Sequence, residues 1–194
     1  MATHTRDRIL ETTAGLLQHR GFHGTSLNDI LAESGAPRGS LYYYFPGGKE
    51  QLALEATVRA IEEITRILEE LMSDGSDPAG AVRTYVEAAA VQLRESGFTF
   101  GCPVAPILLD LGPEAGALAQ VCRDAFADWQ RTLREGFVRA GIADRRAASL
   151  AVTVVSAIEG ALLLARADRS TGPLETIAGE LATLIDGALR TSRR

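Results

Sequence analysis

Cysteine is scarce in this chain: 194 residues contain only Cys102 and Cys122. Two thiols make neither a disulfide framework nor a zinc site. Long apolar runs are missing as well. The most apolar stretch, Ser149 to Ala165, is broken by Thr153, Ser156 and Glu159, so no segment spanning a bilayer is expected. The opening Thr3-His4-Thr5-Arg6-Asp7-Arg8 lacks the charged start and apolar core of an export signal, and a cytoplasmic location is expected. No alternating β pattern, internal repeat or low-complexity tract appears. Catalytic sets are absent too. The three histidines (His4, His19, His23) lie close to the N-terminus, and no Ser/His/Asp, Cys/His or metal-ligand spacing forms around them. Gly47-Gly48-Lys49 lacks the upstream glycine and the following Ser/Thr of a phosphate-binding loop. The sequence therefore predicts no enzyme, no metal and no cofactor.

An excess of positive charge is also missing, since the net charge is −5. Its distribution is uneven. Residues 1–50 are balanced, with Arg6, Arg8, Arg20, Arg38 and Lys49 against Asp7, Glu11, Asp29, Glu33 and Glu50. The remaining residues carry all of the negative charge, fifteen basic against twenty acidic. An acidic body with a neutral N-terminal part would be turned by a polyanion so that the N-terminal part leads.

That part contains the most informative stretch, Ser34-Gly35-Ala36-Pro37-Arg38-Gly39-Ser40-Leu41-Tyr42-Tyr43-Tyr44-Phe45. Ser34-Gly35 reads as the close of a helix, with glycine in the left-handed region. Pro37 suits the first turn of the next helix. Gly39 and Ser40 leave the start of that helix bare to a close-approaching backbone. Leu41 and Phe45, one turn apart, face a core, which leaves the hydroxyls of Tyr42, Tyr43 and Tyr44 as donors to phosphate oxygens. Upstream, Thr25 to Glu33 reads as a short helix capped by Ser26 and Asp29, with Leu27, Ile30 and Leu31 on its apolar face. Two short helices joined by a glycine-bearing turn make a helix-turn-helix, whose second helix would enter a DNA major groove.

Gly21-Phe22, Gly24-Thr25-Ser26, Ile30-Leu31-Ala32, Arg38 to Phe45 and Lys49-Glu50 resemble, in order and spacing, the TetR family of bacterial repressors. Phe45 to Leu52, Gly101-Cys102-Pro103-Val104-Ala105 and Glu159 to Arg166 are similar to its LmrA/YxaF-like subgroup. The resemblance implies that Thr25, Ser26, Pro37, Arg38, Gly39, Ser40, Tyr42, Tyr43, Tyr44 and Lys49 face double-stranded operator DNA. It further implies a homodimer joined through a four-helix interface.

The rest of the chain reads as further helices, giving an all-α fold of about nine. A first helix runs from about Thr5 to His19 on Ile9, Leu10, Ala14 or Thr13, Leu16 and Leu17. A long one runs from Lys49 to Met72, with a stripe of Leu54, Val58, Ile61, Ile64, Leu68 and Leu71. Asp77 before Pro78 starts the fifth. A short sixth spans Val104 to Leu109 and is broken by Gly112-Pro113. The seventh keeps Leu118, Cys122, Ala125, Phe126, Trp129, Leu133 and Phe137 on one stripe. Asp144 is expected to cap the eighth, from about Arg145 to Ala167, which is apolar nearly all round and so must be covered on more than one side. The ninth repeats Leu174, Ile177, Leu181, Leu184, Ile185 and Ala188, and Arg190, Arg193 and Arg194 give the chain a basic end. The expected organisation is a helix-turn-helix domain over residues 1–48 and a ligand-binding and dimerisation domain over residues 49–194.

Within the second domain, Leu68, Met72, Phe98, Phe100, Cys102, Phe126, Trp129, Val155 and Glu159 together would suit a pocket for a small hydrophobic or aromatic effector. Singly, each aromatic reads first as ordinary core packing, ahead of ligand contact. Small residues at Gly160 and Ala161 permit close helix approach, and Ile158, Gly160, Ala161, Leu181, Leu184 and Ile185 are the expected dimer contacts. The leading expectation is a repressor released from a palindromic operator by a small organic effector. Two alternatives stay open: a redox-sensing repressor using the Cys102 thiol, and a helical small-molecule-binding protein without specific DNA binding.

Overall fold

Capping chemistry and apolar spacing divide the chain into helices, as a computed structural model describing residues 2–111 and 116–192 shows. In order they are α1 (Ala2–Arg20), α2 (Leu27–Ser34), α3 (Arg38–Tyr44), α4 (Gly48–Met72), α5 (Pro78–Glu95), α6 (Ala105–Leu111), α7 (Gly116–Arg139), α8 (Asp144–Asp168) and α9 (Gly172–Ser192). No strand occurs among the described residues. The expected break at Gly112-Pro113 and the basic end at Arg193 and Arg194 lie outside the described residues.

Local signals set several of these boundaries. Ser26 caps α2 through a reciprocal box: its hydroxyl accepts the Asp29 N–H at 3.1 Å, and the Asp29 carboxylate accepts the Ser26 N–H at 2.9 Å. Two orphan N–H groups at the helix start are thereby satisfied. At the other end Gly35 adopts φ +61° and donates its N–H to the Leu31 carbonyl at 3.1 Å. A side chain would be strained there, so glycine stops α2 and frees the chain to begin α3. Asp77 caps α5 by accepting the Gly80 N–H at 2.8 Å, with Pro78 next to it.

Two cap assignments change. Pro37 is the N-cap of α3 (φ −60°, ψ 139°) and not part of its first turn. Its ring fixes φ while ψ remains extended, so the helix starts one residue later, at Arg38. Ala143, not Asp144, is the N-cap of α8. The Asp144 carboxylate is instead held by Arg134 of α7, at 2.7 and 2.6 Å. A bidentate guanidinium is a stronger partner than a backbone N–H, and it keeps the Asp144 carboxyl below the ordinary carboxylate range.

The chain forms two compact units, Met1–Glu63 with Cys102–Ala125, and Ile64–Gly101 with Phe126–Arg194. The first is built on α1, α2, α3, the start of α4, α6 and the start of α7, and buries Ile9, Leu17, Ile30, Leu41, Phe45, Leu52 and Ile107. In it, α4 buries Leu52, Ala53, Ala56 and Thr57, while Leu54, Val58 and Ile61 are only half-buried. The buried face is therefore rotated from the expected stripe, because small Ala53 and Ala56 allow α4 to lie close to its neighbours. The second unit holds α5, α8, α9 and the remaining parts of α4 and α7, and buries Met72, Val86, Leu93, Leu133, Phe137, Leu150, Val154, Leu174 and Ile185.

The expectation that no segment could span a bilayer needs correction. By length and composition α8 is long and apolar enough to do so. The polar residues Thr153, Ser156 and Glu159 do not offset Val152, Val154, Val155, Ile158 and Leu162 to Leu164. In this chain α8 packs on α9 and α5 and buries Leu150, Ala151, Val154, Ile158, Ala161 and Ala165.

Candidate nucleic-acid interface

The short α3 turns its two large apolar residues inward and its polar residues out. Leu41 and Phe45 are fully buried, whereas Tyr42 is 48% and Tyr43 79% exposed. Pro37, Arg38 and Gly39 are exposed and Ser40 half-buried. A side-chain carbon added at Gly39 would meet nothing within 4 Å, so the first turn presents backbone to its surroundings. Tyr43 and Tyr44 meet edge to face at 5.0 Å, and Tyr44 meets Phe45 at 6.4 Å, an aromatic ladder from the core to the surface. The Arg38 guanidinium donates to the Asn28 side-chain oxygen of α2 at 2.8 Å, which ties the two helices of the motif at their outer face. Lys49, at the start of α4, lies with its ammonium 4.2 Å from the centre of the Phe22 ring. That cation–π contact holds the ammonium over the ring.

Of the other expected DNA-facing residues, Ser26 is exposed and engaged in the α2 cap, where its hydroxyl also donates to Asp29 at 2.5 Å. These bonds hold the Asp29 carboxyl below the ordinary range. Thr25 is only 1% exposed and donates its hydroxyl to the Gly21 carbonyl at 2.8 Å. Its side chain therefore closes the turn between α1 and α2 from within, and a direct contact from that hydroxyl to DNA needs correcting to a supporting role.

Beneath α3 lies a hydrogen-bonded support that motif reading does not supply. Gln51 accepts the Gly47 N–H at 2.8 Å and donates to Glu55 at 2.8 Å. Glu55 takes Arg6 of α1, whose guanidinium also stands 5.5 Å from the centre of the Phe45 ring. Arg59 of α4 spans Asp7 and Glu11 of α1 at 3.0 and 3.2 Å. The turn leaving α3 is thus fixed to α1 and α4 together. Gln51 four residues after Gly47 is a signal that could have been read; the partners on α1 leave none in sequence.

The expected effector residues divide among several environments. Trp129 is buried and donates its indole N–H to the Thr65 hydroxyl at 3.1 Å, and Phe126 meets it edge to face at 5.5 Å. Leu68 and Met72 are buried. Met72 packs so closely on α7 that a side-chain carbon at Gly136 would lie 2.9 Å from it, and its carbonyl accepts from Arg139 at 3.0 Å. Phe98 is half-buried with φ +64°, its ring 5.8 Å from the Arg169 guanidinium, and Phe100 is 43% exposed. Val155 and Glu159 are half-buried on α8. Cys102 is buried just before α6, its sulfur accepting the Ala105 N–H at 3.4 Å. A cleft of about 190 Å³ lies elsewhere, between α5 and the start of α9, lined by Glu87, Ala90, Val91, Arg94, Thr171, Leu174 and Glu175. Thr65 was not foreseen, because a threonine on a charged helix carries no signal until the indole reaches it. Among the described residues no group of His, Cys, Asp and Glu could hold a metal ion.

Four of the six expected dimer contacts turn inward. Ile158, Ala161, Leu181 and Ile185 are at most 8% exposed within one chain. Their apolar side chains are buried within their own unit in the single chain. Gly160 and Leu184 are exposed. So is the seam of α8 formed by Ser149, Val152, Thr153, Ser156, Gly160, Leu163, Leu164 and Ala167, which recurs at helical spacing and bears no charge. Val152, Leu163 and Leu164 are 50%, 70% and 56% exposed. On α9 the hydroxyls of Thr176 and Thr183 donate back to the carbonyls of Gly172 and Gly179, at 2.9 and 3.0 Å.

Comparison with known proteins agrees with this geometry. Residues 9–56 match the model of the bacterial regulatory proteins, tetR family. Residues 78–180 match the C-terminal domain of LmrA/YxaF-like transcriptional regulators. The HTH-type transcriptional regulator YxaF of Bacillus subtilis is 33% identical over 181 residues, covering 93% of this chain and 95% of that one. LmrA of the same organism is also 33% identical, with coverages of 93% and 96%. A TetR transcriptional regulator from Chloroflexus aurantiacus superposes with a TM-score of 0.77 at 27% identity, over 95% of this chain and 96% of that one. A helix that buries Leu41 and Phe45 to hold Arg38 and its tyrosines outward is thus accounted for: the chain belongs to the TetR family of DNA-binding transcriptional regulators, in its LmrA/YxaF-like branch, and is not an enzyme.

Proposed function

We propose that this regulator is a cytoplasmic repressor that binds a palindromic operator as a homodimer and leaves it when a small, mainly apolar effector binds its C-terminal part. The observation that carries the DNA half is the exposed polar face of α3, with Tyr43 79% exposed above a buried Leu41 and Phe45. Arg38 is the group to reach a base edge, and Tyr42 and Tyr43 donate to phosphates. Tyr44, Ser40 and Lys49 complete the surface, with the bare backbone of Gly39 allowing close approach.

The dimer is proposed to form through the uncharged outer seam of α8 together with the Thr176, Gly179 and Thr183 face of α9. Burying Val152, Leu163 and Leu164 against a copy removes their remaining exposed apolar surface, each worth roughly half to two-thirds of the about 1.5–3 kcal/mol of a full side-chain burial. Gly160 and Gly179 let the backbones approach, and the threonine hydroxyls along the seam are already satisfied. Two recognition helices would then reach half-sites about 34 Å, one DNA turn, apart.

The effector is proposed to lodge beside Trp129 and Phe126, displacing packing around Leu68 and Met72 with Val155 and Glu159 nearby. Because α4 is one continuous helix of 25 residues, about 37 Å long at 1.5 Å per residue, a tilt at Met72 is felt at Gly48. The effector needs to favour the non-binding arrangement by only about 1–3 kcal/mol to lower DNA affinity five- to roughly 150-fold.

The test is a binding screen of the purified protein against the DNA upstream of its own gene, with random DNA of equal length as control. The proposal expects one protected, two-fold symmetric segment occupied by a dimer. Binding that shows no preference over random DNA would refute it.

A further inference from the structure

We propose that Asp110 is a positioning residue for DNA reading: its carboxylate fastens α6 to the turn that launches the helix-turn-helix. Asp110 Oδ2 accepts the backbone N–H of His23 at 2.5 Å, across 87 residues of sequence. The same carboxyl lies against Gly21. A side-chain carbon there would sit 3.0 Å from Oδ2 and 3.3 Å from Cγ, and the backbone at Gly21 has φ +70°. Glycine at this position both makes the turn and admits the carboxylate.

The turn from Gly21 to Gly24 has two glycines and no helix of its own. Such a segment is loose unless its backbone groups are tied down. Its ties are few and specific. Gly21 donates to the Leu17 carbonyl of α1 at 2.9 Å, Thr25 closes on the Gly21 carbonyl at 2.8 Å, and Asp110 takes His23. The first two are made within the α1–α2 connection. The third comes from α6 and, with the Lys49 ammonium of α4 at 4.2 Å from the Phe22 ring, sets where the turn stands relative to the rest of its compact unit. From the turn, each step to the DNA face is short: Ser26 caps α2, and Asn28 of α2 holds Arg38 of α3 at 2.8 Å. Leu109, the neighbour of Asp110, is 86% exposed, so the outer side of α6 near the latch is not fixed by apolar packing. A charge-assisted hydrogen bond is strong enough to hold it in that place. A shift of α6 is therefore handed to the helix-turn-helix by Asp110 without passing along α4.

This rests on α3 reading DNA, and the test separates the two. Full-length wild type, Asp110→Ala and Asp110→Asn are compared by amide hydrogen exchange and by binding to the preferred upstream segment and to random DNA. In Asp110→Ala the amides of Gly21 to Gly24 should exchange about tenfold faster or more, with the α4 amides unchanged. Affinity for the preferred segment should fall roughly tenfold, while random DNA is bound within about twofold of wild type, since phosphate-facing groups are untouched. Asp110→Asn, which keeps an acceptor oxygen in place, should recover part of both losses. Unchanged exchange at His23 overturns the latch whatever the DNA does. Faster exchange with unchanged preference between the two DNAs, or a loss shared equally by both, overturns the positioning role. A wild type that prefers no DNA segment counts against DNA reading by α3 and, with it, against that role.

Discussion

The outer faces of α3 and of α8 are both what remains after an amphipathic helix has buried its apolar stripe, yet they differ in what they leave out. On α3 the residues turned outward are Arg38, Tyr42 and Tyr43, able to donate hydrogen bonds. On α8 they are Ser149, Val152, Thr153, Ser156, Gly160, Leu163, Leu164 and Ala167, which have no charge and few free donors. Thr153 even spends its hydroxyl on the Ser149 carbonyl at 2.9 Å. The first surface suits a partner rich in acceptors, such as a phosphate backbone. The second suits one that also hides apolar area, such as a copy of itself. The two regions also differ in how they are held. Polar ties reaching α1, α4 and α6 fix the surroundings of α3, whereas α8 buries a long apolar stripe of Leu150, Val154, Ile158 and Ala165 and has its Arg134–Asp144 tie at one end. A seven-residue helix is too short to be stable by itself, so α3 depends on its buried Leu41, on Phe45 and on the polar ties around it.

The comparison breaks most visibly if a charge is put on the uncharged seam. Gly160→Glu adds a carboxylate where nothing lies within 4 Å in the single chain. The chain should fold as before, sediment as a monomer at micromolar concentration, and lose on the order of a hundredfold or more in operator affinity, since both half-sites can no longer be held by one molecule. Dimers of normal operator affinity would show that α8 is not the interface. Ala161→Glu is the poorer experiment, because Ala161 is 3% exposed and its loss would destabilise the fold itself.

A smaller effect is expected on the other face. Arg38→Ala should cost about 1–3 kcal/mol on the operator and much less on random DNA if the guanidinium reads a base. Titrations of both DNAs at one salt concentration measure the difference. An equal loss on both would reassign Arg38 to a phosphate.

The smallest effect concerns a residue that belongs to neither face. Burial raises the Cys122 thiol from 9.0 to about 11. A raised folded value means the neutral thiol is favoured in the native state, so its contribution to stability is complete below pH 9 and is lost as pH climbs toward 11. Cys122→Ala should remove that part of the alkaline loss in a melting series, and native Cys122 should resist alkylation at neutral pH.

What the sequence disclosed and what it withheld follow from distance along the chain. The α2 cap is legible because Ser26 and Asp29 are three residues apart, and α7 because its stripe from Leu118 to Phe137 keeps one phase. Trp129 with Thr65, Glu55 with Arg6 and Asp110 with His23 are separated by 64, 49 and 87 residues, and no local pattern links them. The phase of α8 is hidden for another reason. A helix apolar nearly all round has no phase, so its sequence cannot say that Gly160 points out while Ala161 points in. Thr25 shows the same limit at a site: motif position placed it toward DNA, and a bond to Gly21 takes its hydroxyl inward.

The central claim, that α3 and α8 serve different partners, is tested most directly by the Arg38→Ala, Tyr43→Phe double variant measured for both properties in one sample. Sedimentation should show an unchanged dimer. The same preparation should bind the operator at least about tenfold more weakly, the sum of a lost cation and a lost phosphate donor. Operator affinity equal to wild type would contradict the account, because a DNA face that loses its longest cation and its most exposed hydroxyl at no cost is not a DNA face.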